Sequence, residues 1–283
     1  MSITLPTAVI EPTYIDPSVL TILSNTKVGK TSSCLQLPNS LLVDLEDSAS
    51  FYKGTYLNLK KQSTVENKGI GSLLLETVAA IQQANTEAGR CVYDFIIIDT
   101  LTVIEKIARQ KATYDYKKTL AGKNFSGTDV VAELAKGAGY VHFNKAFNDL
   151  IDPFKGLAGK CLILLCHAKL SSISKDSTEV DLKDIELSGK NKLAVTAYAD
   201  TIGLLYRHKR NKNQNIMSFK TSEDNLVCGT RSAHLMNKTF VFSEYDPTAH
   251  VLTTHWDLIF KSLGSDKQME EISEDVQATL VEA

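Results

Sequence analysis

The stretch LSNTKVGKTS, residues 23–32, is the part of the sequence that decides the fold. It continues the apolar run VLTIL, residues 19–23, which has the length of a buried strand. A phosphate-binding P-loop requires such a strand, a turn whose backbone N–H groups surround phosphate oxygens, and a lysine and a hydroxyl residue where a helix begins. Gly29, Lys30 and Thr31 supply the close backbone approach, the charge and a hydroxyl for Mg²⁺. The predicted nucleotide-binding residues are Ser24, Asn25, Thr26, Lys27, Val28, Gly29, Lys30, Thr31 and Ser32.

Ser24 occupies the position at which the strict GxxxxGK[ST] pattern has its first glycine. A small hydroxyl residue can take that position if its φ is negative, because only a positive φ favours glycine. The tripeptide GKT also occurs often by chance, and a surface turn is the alternative interpretation. The P-loop prediction therefore depends on the rest of the sequence.

A second motif supports it. The stretch YDFIIIDT, residues 93–100, is an apolar strand that ends in Asp99, about seventy residues after the P-loop lysine. This is the form of a Walker B element, whose carboxylate holds Mg²⁺ through water. The alternative for Asp99 is a simple strand-end cap. Two motifs in the correct order, each ending a predicted strand, favour a magnesium site formed by Thr31 and Asp99.

ATP cleavage also needs a carboxylate that positions or activates the attacking water. Glu46 is the candidate, because it directly follows the apolar run LLVDL, residues 41–45, after the P-loop helix. A sheet with this strand beside the Walker B strand would bring Glu46 to the γ-phosphate. Asp44 and Asp47 are rivals, and a solvated strand end is the other interpretation of all three residues.

The apolar run CLILLC, residues 161–166, predicts a further buried strand, and His167 follows it directly. A polar residue at a strand tip beside the motif strands can sense the γ-phosphate and signal to the following loop. A capped or half-buried imidazole is the alternative. Cys161, Cys166 and His167 lack the paired spacing of a zinc site. Because a γ-phosphate sensor acts in ATP cleavage, we predict His167 as a second catalytic residue.

Short apolar runs alternate with helical patterns along the first two thirds of the chain. The runs lie at 19–23, 41–45, 95–100 and 161–166, with helical apolar spacing between them at 74–81 and 143–154. Continuous apolar runs are typical of strands covered on both faces, as in a parallel sheet. The predicted fold class is α/β, a mainly parallel sheet flanked by helices with right-handed crossovers.

After Asp200 the pattern changes to strands joined by short polar connections. This predicts an antiparallel C-terminal extension of the sheet, formed by residues 201–207, 214–221 and 239–243.

Two segments without strong periodicity, residues 118–130 and 168–192, are predicted as long loops. The chain is predicted to be one domain with two additions. The boundaries are an N-terminal extension at 1–17, the domain at 18–262, and an acidic C-terminal tail at 263–283.

Composition limits the protein's class. With 283 residues, 43% of them apolar, and a formal net charge of −2, the chain is typical of a soluble globular protein and not of a generally basic nucleic-acid binder. Five scattered cysteines do not suggest a disulfide framework and favour a reducing cytoplasm. No secretion signal or membrane-spanning stretch is evident, so we predict a cytoplasmic protein with no membrane partner.

The motifs resemble a known family in their kind and order. LSNTKVGKTS, LLVDLED, YDFIIIDT, LILLCHAK, AYADTIGLLYR and CGTRSAHL occur as in RecA-like P-loop ATPases, particularly the compact phage AAA-domain proteins of the Sak single-strand annealing group. The resemblance covers roughly residues 18–245 and rests on order more than on any single motif.

The resemblance implies a RecA-like core that binds ATP and Mg²⁺ at the carboxyl edge of its sheet, often between subunits of a homo-oligomeric ring or filament. It implies phage recombination or replication as the context, and a host cytoplasm if the chain is phage-encoded. Glu46 would match the catalytic glutamate and His167 the sensor. Lys220 or Arg231 would be the basic residue that reaches a neighbour's γ-phosphate. Lys220-Thr221-Ser222 lacks the second basic residue of the KxR motif found in many relatives.

Candidate contacts with single-stranded DNA lie in the predicted loops. Aromatic and basic groups interleave at Tyr114, Tyr116, Lys117, Lys118 and Lys123, a composition suited to base stacking and phosphate neutralisation. A second basic cluster lies in a predicted hairpin at Arg207, His208, Lys209, Arg210 and Lys212. Solvated charged loops are the alternative for both.

Three functions fit these features. The leading hypothesis is an ATP-binding and ATP-hydrolysing protein of DNA recombination, repair or replication that acts on single-stranded DNA. The main rival is a nucleotide-gated assembly or scaffold ATPase without DNA activity. A small-molecule kinase ranks third, because kinases usually need a lid with several arginines and this chain has few: Arg90, Arg109, Arg207, Arg210 and Arg231.

Overall fold

A computed structural model describes residues 7, 9, 11–175, 178–221 and 228–264 of the chain. The strands of this part are β1 Val19–Ser24, β2 Ser40–Asp44, β3 Tyr56–Asn58, β4 Phe95–Asp99, β5 Cys161–Lys175, β6 Thr178–Ile185, β7 Thr201–Arg207, β8 Gln214–Ser218, β9 Gly229–Thr230, β10 Thr239–Asp246 and β11 Val251–Thr254.

The helices are α1 Lys30–Cys34, α2 Leu59–Glu66, α3 Ile70–Ala88, α4 Leu101–Lys117, α5 Val130–Glu133, α6 Gly139–Ile151, α7 Gly189–Tyr198 and α8 Trp256–Ile259. Short 3₁₀ turns lie at Ala49–Phe51, Ala135–Gly137, Asp152–Phe154, Ala233–Leu235 and Lys261–Leu263. Within the described ranges, no helix has the length and apolar character to cross a bilayer.

The sheet has the strand order β11-β10-β8-β7-β1-β5-β4-β2-β3, with β6 paired to β5 and β9 paired to β7. The strands from β3 across to β7 run parallel, whereas β8, β10 and β11 continue the sheet antiparallel. The predicted fold class, a mainly parallel sheet flanked by helices with an antiparallel C-terminal extension, is therefore confirmed.

Two hydrophobic layers explain why the central strands are continuously apolar. In β4, Ile96 and Ile98 pack into the layer under α3, α4 and α6. Phe95 and Ile97 point into the other layer, which contains Trp256 of α8. Neighbouring residues of a strand face opposite sides, so both sets must be apolar when both sides are covered.

The register of the parallel strands brings their carboxyl ends to one edge of the sheet. Ser24, the last residue of β1, lies opposite His167 in β5. Asp44, the last residue of β2, lies opposite Asp99, the last residue of β4. Polar residues that are far apart in the sequence are thereby collected at one place.

Two predictions about local structure are wrong. Residues 168–192, predicted as a loop, contain the end of β5, all of β6 and the start of α7, and Ala168 to Lys175 pair antiparallel with Ile185 to Thr178. A two-stranded ribbon is stabilised by backbone pairing and needs no continuous apolar run, so the apolar pattern did not reveal it. Strand β7 was expected to be antiparallel, but it pairs parallel with β1 and antiparallel only with β8.

Candidate nucleotide-binding site

The predicted P-loop residues form a turn between β1 and α1. Lys27 and Gly29 have positive φ values of 61° and 106°, and α1 begins at Lys30. Gly29 needs to be glycine, because an L-residue is strained at this φ. Ser24 is the last residue of β1 and is not among the described residues with positive φ. Serine can therefore stand in the place of the first glycine without backbone strain.

Lys30 is almost completely buried, with 7% of its surface exposed. Its Nζ donates to Ser24 Oγ at 2.7 Å and to the carbonyl oxygens of Ser24 and Asn25, both at 3.2 Å. Burial lowers the pKa of Lys30, because it disfavours the charged amine. The ammonium group thus lies inside the loop, next to the backbone that would surround a phosphate.

Thr31 and Asp99 are in direct contact. Thr31 Oγ1 donates to Asp99 Oδ2 at 2.6 Å, and Ser48 Oγ donates to the same oxygen at 2.9 Å. Asp99 is only 1% exposed, and burial raises the pKa of its carboxyl group. Hydroxyl and carboxylate oxygens are the protein ligands that Mg²⁺ accepts. The donor set therefore fits the magnesium ion that the P-loop implies.

Glu46 faces this group from the loop after β2. Its Oε1 accepts from Thr100 Oγ1 at 3.0 Å and lies 3.4 Å from His167 Nε2. The hydrogen bond from His167 and, to a lesser extent, that from Thr100 lower the pKa of Glu46, against the opposing effect of burial. Glu46 is therefore ionised at neutral pH and sits between the Walker B strand and β5.

His167 links Glu46 to Lys30. Its Nδ1 lies 3.5 Å from Lys30 Nζ, while its Nε2 faces the carboxylate. An ammonium group can only donate, so the contact assigns Nδ1 as acceptor and the proton to Nε2, which donates to Glu46. The predicted sensor thus joins the predicted phosphate-binding lysine to the predicted catalytic carboxylate.

The two rival carboxylates are occupied by other partners. Asp44 is fully buried and accepts from the backbone N–H groups of Glu46, Ser48 and Ala49 at 2.9, 3.2 and 2.8 Å. Asp47 accepts from Ser50 and Asn58 and pairs with Lys61. Asp44 shapes the turn that presents Glu46, and Asp47 is held by side chains of its own neighbourhood, which favours Glu46 as the residue that meets the attacking water.

The proposed trans-acting residues lie at the opposite edge of the sheet. Strand β8 runs antiparallel to β7 and ends at Ser218, so Lys220 follows it at the edge away from the P-loop. Arg231 follows β9, which pairs with the first residues of β7, and its Nη1 lies 3.5 Å from Asp200 Oδ1. Ser222 lies outside the described residues. Neither basic residue is placed to act on the phosphate site of its own chain.

A different basic residue contacts the P-loop. Strand β7 runs parallel to β1 and ends at the site edge, where Arg207 Nη2 donates to the carbonyl oxygen of Lys27 at 3.3 Å. Residues 208–213 connect β7 to β8, so the second basic cluster does lie in a hairpin. The sequence pattern groups Arg207 with the second basic cluster, a candidate DNA contact. Its contact with the P-loop depends on the parallel pairing of β7, which the sequence did not predict.

The first DNA-binding prediction needs correction. Tyr114, Tyr116 and Lys117 lie in the last turns of α4 and not in a loop, and Lys118 caps that helix. Tyr116 packs against Phe125 and His142 and contacts the hydrophobic core. Tyr114 is 61% exposed, and Lys118 Nζ lies 3.9 Å from the centre of its ring. Of these two tyrosines, Tyr114 is the one that offers its aromatic face to solvent, because helical spacing turns Tyr116 inward.

The terminal boundaries stay predictions. Most of the tail at 263–283 and part of the extension at 1–17 lie outside the described residues.

Comparison with known proteins identifies a family model. The AAA_24 model, described as an AAA domain, matches residues 16–231, which include every predicted catalytic and phosphate-binding residue. No curated protein sequence matches. Among solved structures, the chain is similar to one titled "Crystal structure of the RadB recombinase", with 12% identity, a TM-score of 0.35, and coverage of 82% of this chain and 89% of that chain.

Proposed function

The chain belongs to the AAA domain family that matches residues 16–231, and from this premise we propose that it is a Mg²⁺-dependent ATPase that acts on single-stranded DNA in recombination, repair or replication. One observation carries the proposal. Lys30, Asp99, Glu46 and His167 come from separate segments and meet at the carboxyl edge of the parallel sheet. Open α/β sheets bind their ligands at that edge.

Lys30 binds the β- and γ-phosphates of the nucleotide. Its ammonium group is held by neutral oxygens of Ser24 and Asn25. Phosphate oxygens are charged and therefore stronger acceptors, so a bound nucleotide compensates for the burial that lowers the pKa of Lys30. Thr31 and Asp99 would hold Mg²⁺, which when bound neutralises charge on the phosphate oxygens.

Glu46 positions the attacking water. A carboxylate whose pKa is lowered is a weak base, so its main contribution is to orient the water and to accept its proton late in a loose transition state. His167 holds the carboxylate through Nε2 and contacts Lys30 through Nδ1. A phosphate that draws Lys30 away from His167 would thereby change the support of Glu46.

Two surface features support the DNA part of the proposal. Tyr114 presents an exposed ring beside Lys118, a pair suited to stacking on a base and neutralising a phosphate. The basic hairpin at 208–213 adjoins the P-loop through Arg207. The proposal includes a phage context, which the resemblance to the Sak group supports, and a cytoplasmic location, which the composition supports.

ATP turnover measured with and without single-stranded DNA tests this function. We expect Mg²⁺-dependent turnover that the DNA stimulates, and no turnover in a folded Lys30→Ala protein, because the charge that binds the phosphates is removed. Turnover that DNA does not change would favour the second candidate, a nucleotide-gated assembly ATPase without DNA activity. That candidate is supported by the position of Lys220 and Arg231 at the edge away from the chain's own site.

The same position supports a homo-oligomer. In a head-to-tail assembly, the Arg231 edge of one copy can face the P-loop edge of the next, and such contacts form rings or filaments. Mixing Arg231→Ala with Lys30→Ala protein tests this: each is expected to be inactive alone, and the mixture to recover turnover, because an intact Arg231 then meets an intact P-loop. Failure to recover would exclude Arg231 as the trans-acting residue, and the same mixture made with Lys220→Ala then tests the other candidate.

A further inference from the structure

Ser48 is a member of the phosphate site that no sequence motif indicates. It lies between β2 and the 3₁₀ turn at Ala49–Phe51, two residues after Glu46. Its Oγ is 2.9 Å from Asp99 Oδ2 and 3.3 Å from Thr31 Oγ1, while Thr31 Oγ1 and Asp99 Oδ2 are 2.6 Å apart. Three oxygen atoms from three separate segments therefore form one compact triangle.

The position of Ser48 is set by a buried carboxylate. Asp44 Oδ1 accepts from the Ser48 backbone N–H at 3.2 Å and lies 3.4 Å from Ser48 Oγ, and Asp44 Oδ2 accepts from the next backbone N–H at 2.8 Å. Asp44 is fully buried. A buried carboxylate is costly unless it is hydrogen-bonded, so this turn has little freedom to rearrange. The hydroxyl of Ser48 is thus preorganised at the triangle.

The chemistry of a hydroxyl explains what Ser48 can add. A serine hydroxyl has one hydrogen and two lone pairs. When the hydrogen is donated to Asp99, the lone pairs stay available to a cation or to water bound to a cation, as they do for Thr31. The 3.3 Å between the oxygens of Ser48 and Thr31 is short enough for both hydroxyls to contact one cation.

We propose that Ser48 contributes its hydroxyl to the Mg²⁺ shell, together with Thr31 and Asp99, and so ties the metal to the loop that carries Glu46. This inference rests on the proposed function, because it concerns the same site. As a consequence, metal binding and the position of the Glu46 carboxylate are coupled, because Glu46 and Ser48 belong to the same turn at residues 46–48.

The test is the affinity for ADP, measured with excess Mg²⁺ and with EDTA, in wild type, Ser48→Ala and Ser48→Thr. Mg²⁺ raises the affinity for ADP, and in Ser48→Ala we expect this increase to be about tenfold smaller than in wild type, as is found when residues around a metal ligand are changed. In EDTA, the affinity of Ser48→Ala for ADP should match that of wild type. Ser48→Thr keeps the hydroxyl and should keep the gain. Ser50→Ala is the matched control. Ser50 lies two residues after Ser48, and its Oγ contacts Asp47, Asn58 and Lys61.

A second variant protects the test against misfolding. Ser48→Cys preserves the size of the side chain but replaces a hard oxygen with a soft sulfur. We expect weak ADP binding with Mg²⁺ and recovery with Cd²⁺, relative to wild type in the same metal. An equal loss in Mg²⁺ and EDTA, or no loss at all, would overturn the role of Ser48 and leave the ATPase proposal intact. Wild-type protein that binds no nucleotide with Mg²⁺ would instead overturn the ATPase proposal, and this inference with it.

Discussion

The two edges of the sheet carry polar residues of opposite character. At the carboxyl edge, Lys30 and Asp99 are 7% and 1% exposed. His167 contacts Lys30 through Nδ1 and Glu46 through Nε2, so these three residues form one hydrogen-bonded chain. At the other edge, the Arg231 side chain is 72% exposed beside Asp200. Burial makes a charged group depend on a few exact partners, whereas water supports an exposed one. Substitutions at the first edge should therefore change the chemistry of the site, whereas loss of the exposed Arg231 should change the stability of a single chain little.

The largest effect is expected for Glu46→Gln. The amide keeps the size and part of the hydrogen bonding of the carboxylate but cannot accept a proton, so turnover should fall by about 10²-fold or more while ATP still binds. Single-turnover kinetics and nucleotide affinity, measured side by side, check this. Asp47→Asn is the control, because Asp47 contacts Ser50, Asn58 and Lys61. If Asp47→Asn abolishes turnover and Glu46→Gln does not, the assignment of the carboxylate is wrong.

An intermediate effect is expected on the pH profile of turnover. The hydrogen bond from His167 lowers the pKa of Glu46, so the carboxylate stays ionised to a lower pH than an ordinary glutamate and is protonated only as the pH falls through that lowered value. His167→Leu removes the bond, which should raise the pKa and move the acid limb of the profile to higher pH. His142→Leu, which alters an imidazole packed on Tyr116, should leave the limb in place. An unchanged limb in His167→Leu would show that His167 does not support Glu46.

The smallest effect, on the stability of the single chain, is expected at the opposite edge. Exposed ion pairs contribute less than about 1 kcal/mol, so Arg231→Ala should lower the free energy of unfolding by no more than that. Urea unfolding measures the change. Asp200→Asn sharpens the comparison, because Asp200 Oδ2 also accepts from the backbone N–H groups of Ser18 and Val19, both at 3.1 Å, and its loss should cost more. A larger loss in Arg231→Ala than in Asp200→Asn would contradict the view that this edge is held by Asp200 and not by its exposed partner.

Ser24 shows how a sequence exception can be explained by its neighbours. The strict motif has glycine at this position, yet Ser24 has no positive φ and its hydroxyl accepts from Lys30 Nζ at 2.7 Å. The backbone requirement for glycine falls instead on Gly29, whose φ is 106°. The exception therefore removes no essential conformation and adds an acceptor for the lysine.

The sequence by itself determined the features that lie within short, continuous stretches. The strand and turn of the P-loop, the strand ending in Asp99 and the apolar runs of β2 and β5 follow from local patterns, because burial on both faces requires an unbroken apolar run. Their order along the chain also sufficed to predict the α/β class and to place Glu46 and His167 directly after the apolar runs at 41–45 and 161–166.

Only the tertiary structure decided how these pieces meet. It separated Glu46 from Asp44 and Asp47 and brought Ser48 to Asp99. It also packed Tyr116 against the core and set Lys220 and Arg231 at the edge away from the P-loop. Each of these outcomes depends on strand direction, register or hydrogen-bond partners from distant segments. The identity of a residue is local, but its partners and its exposure to water are properties of the folded chain.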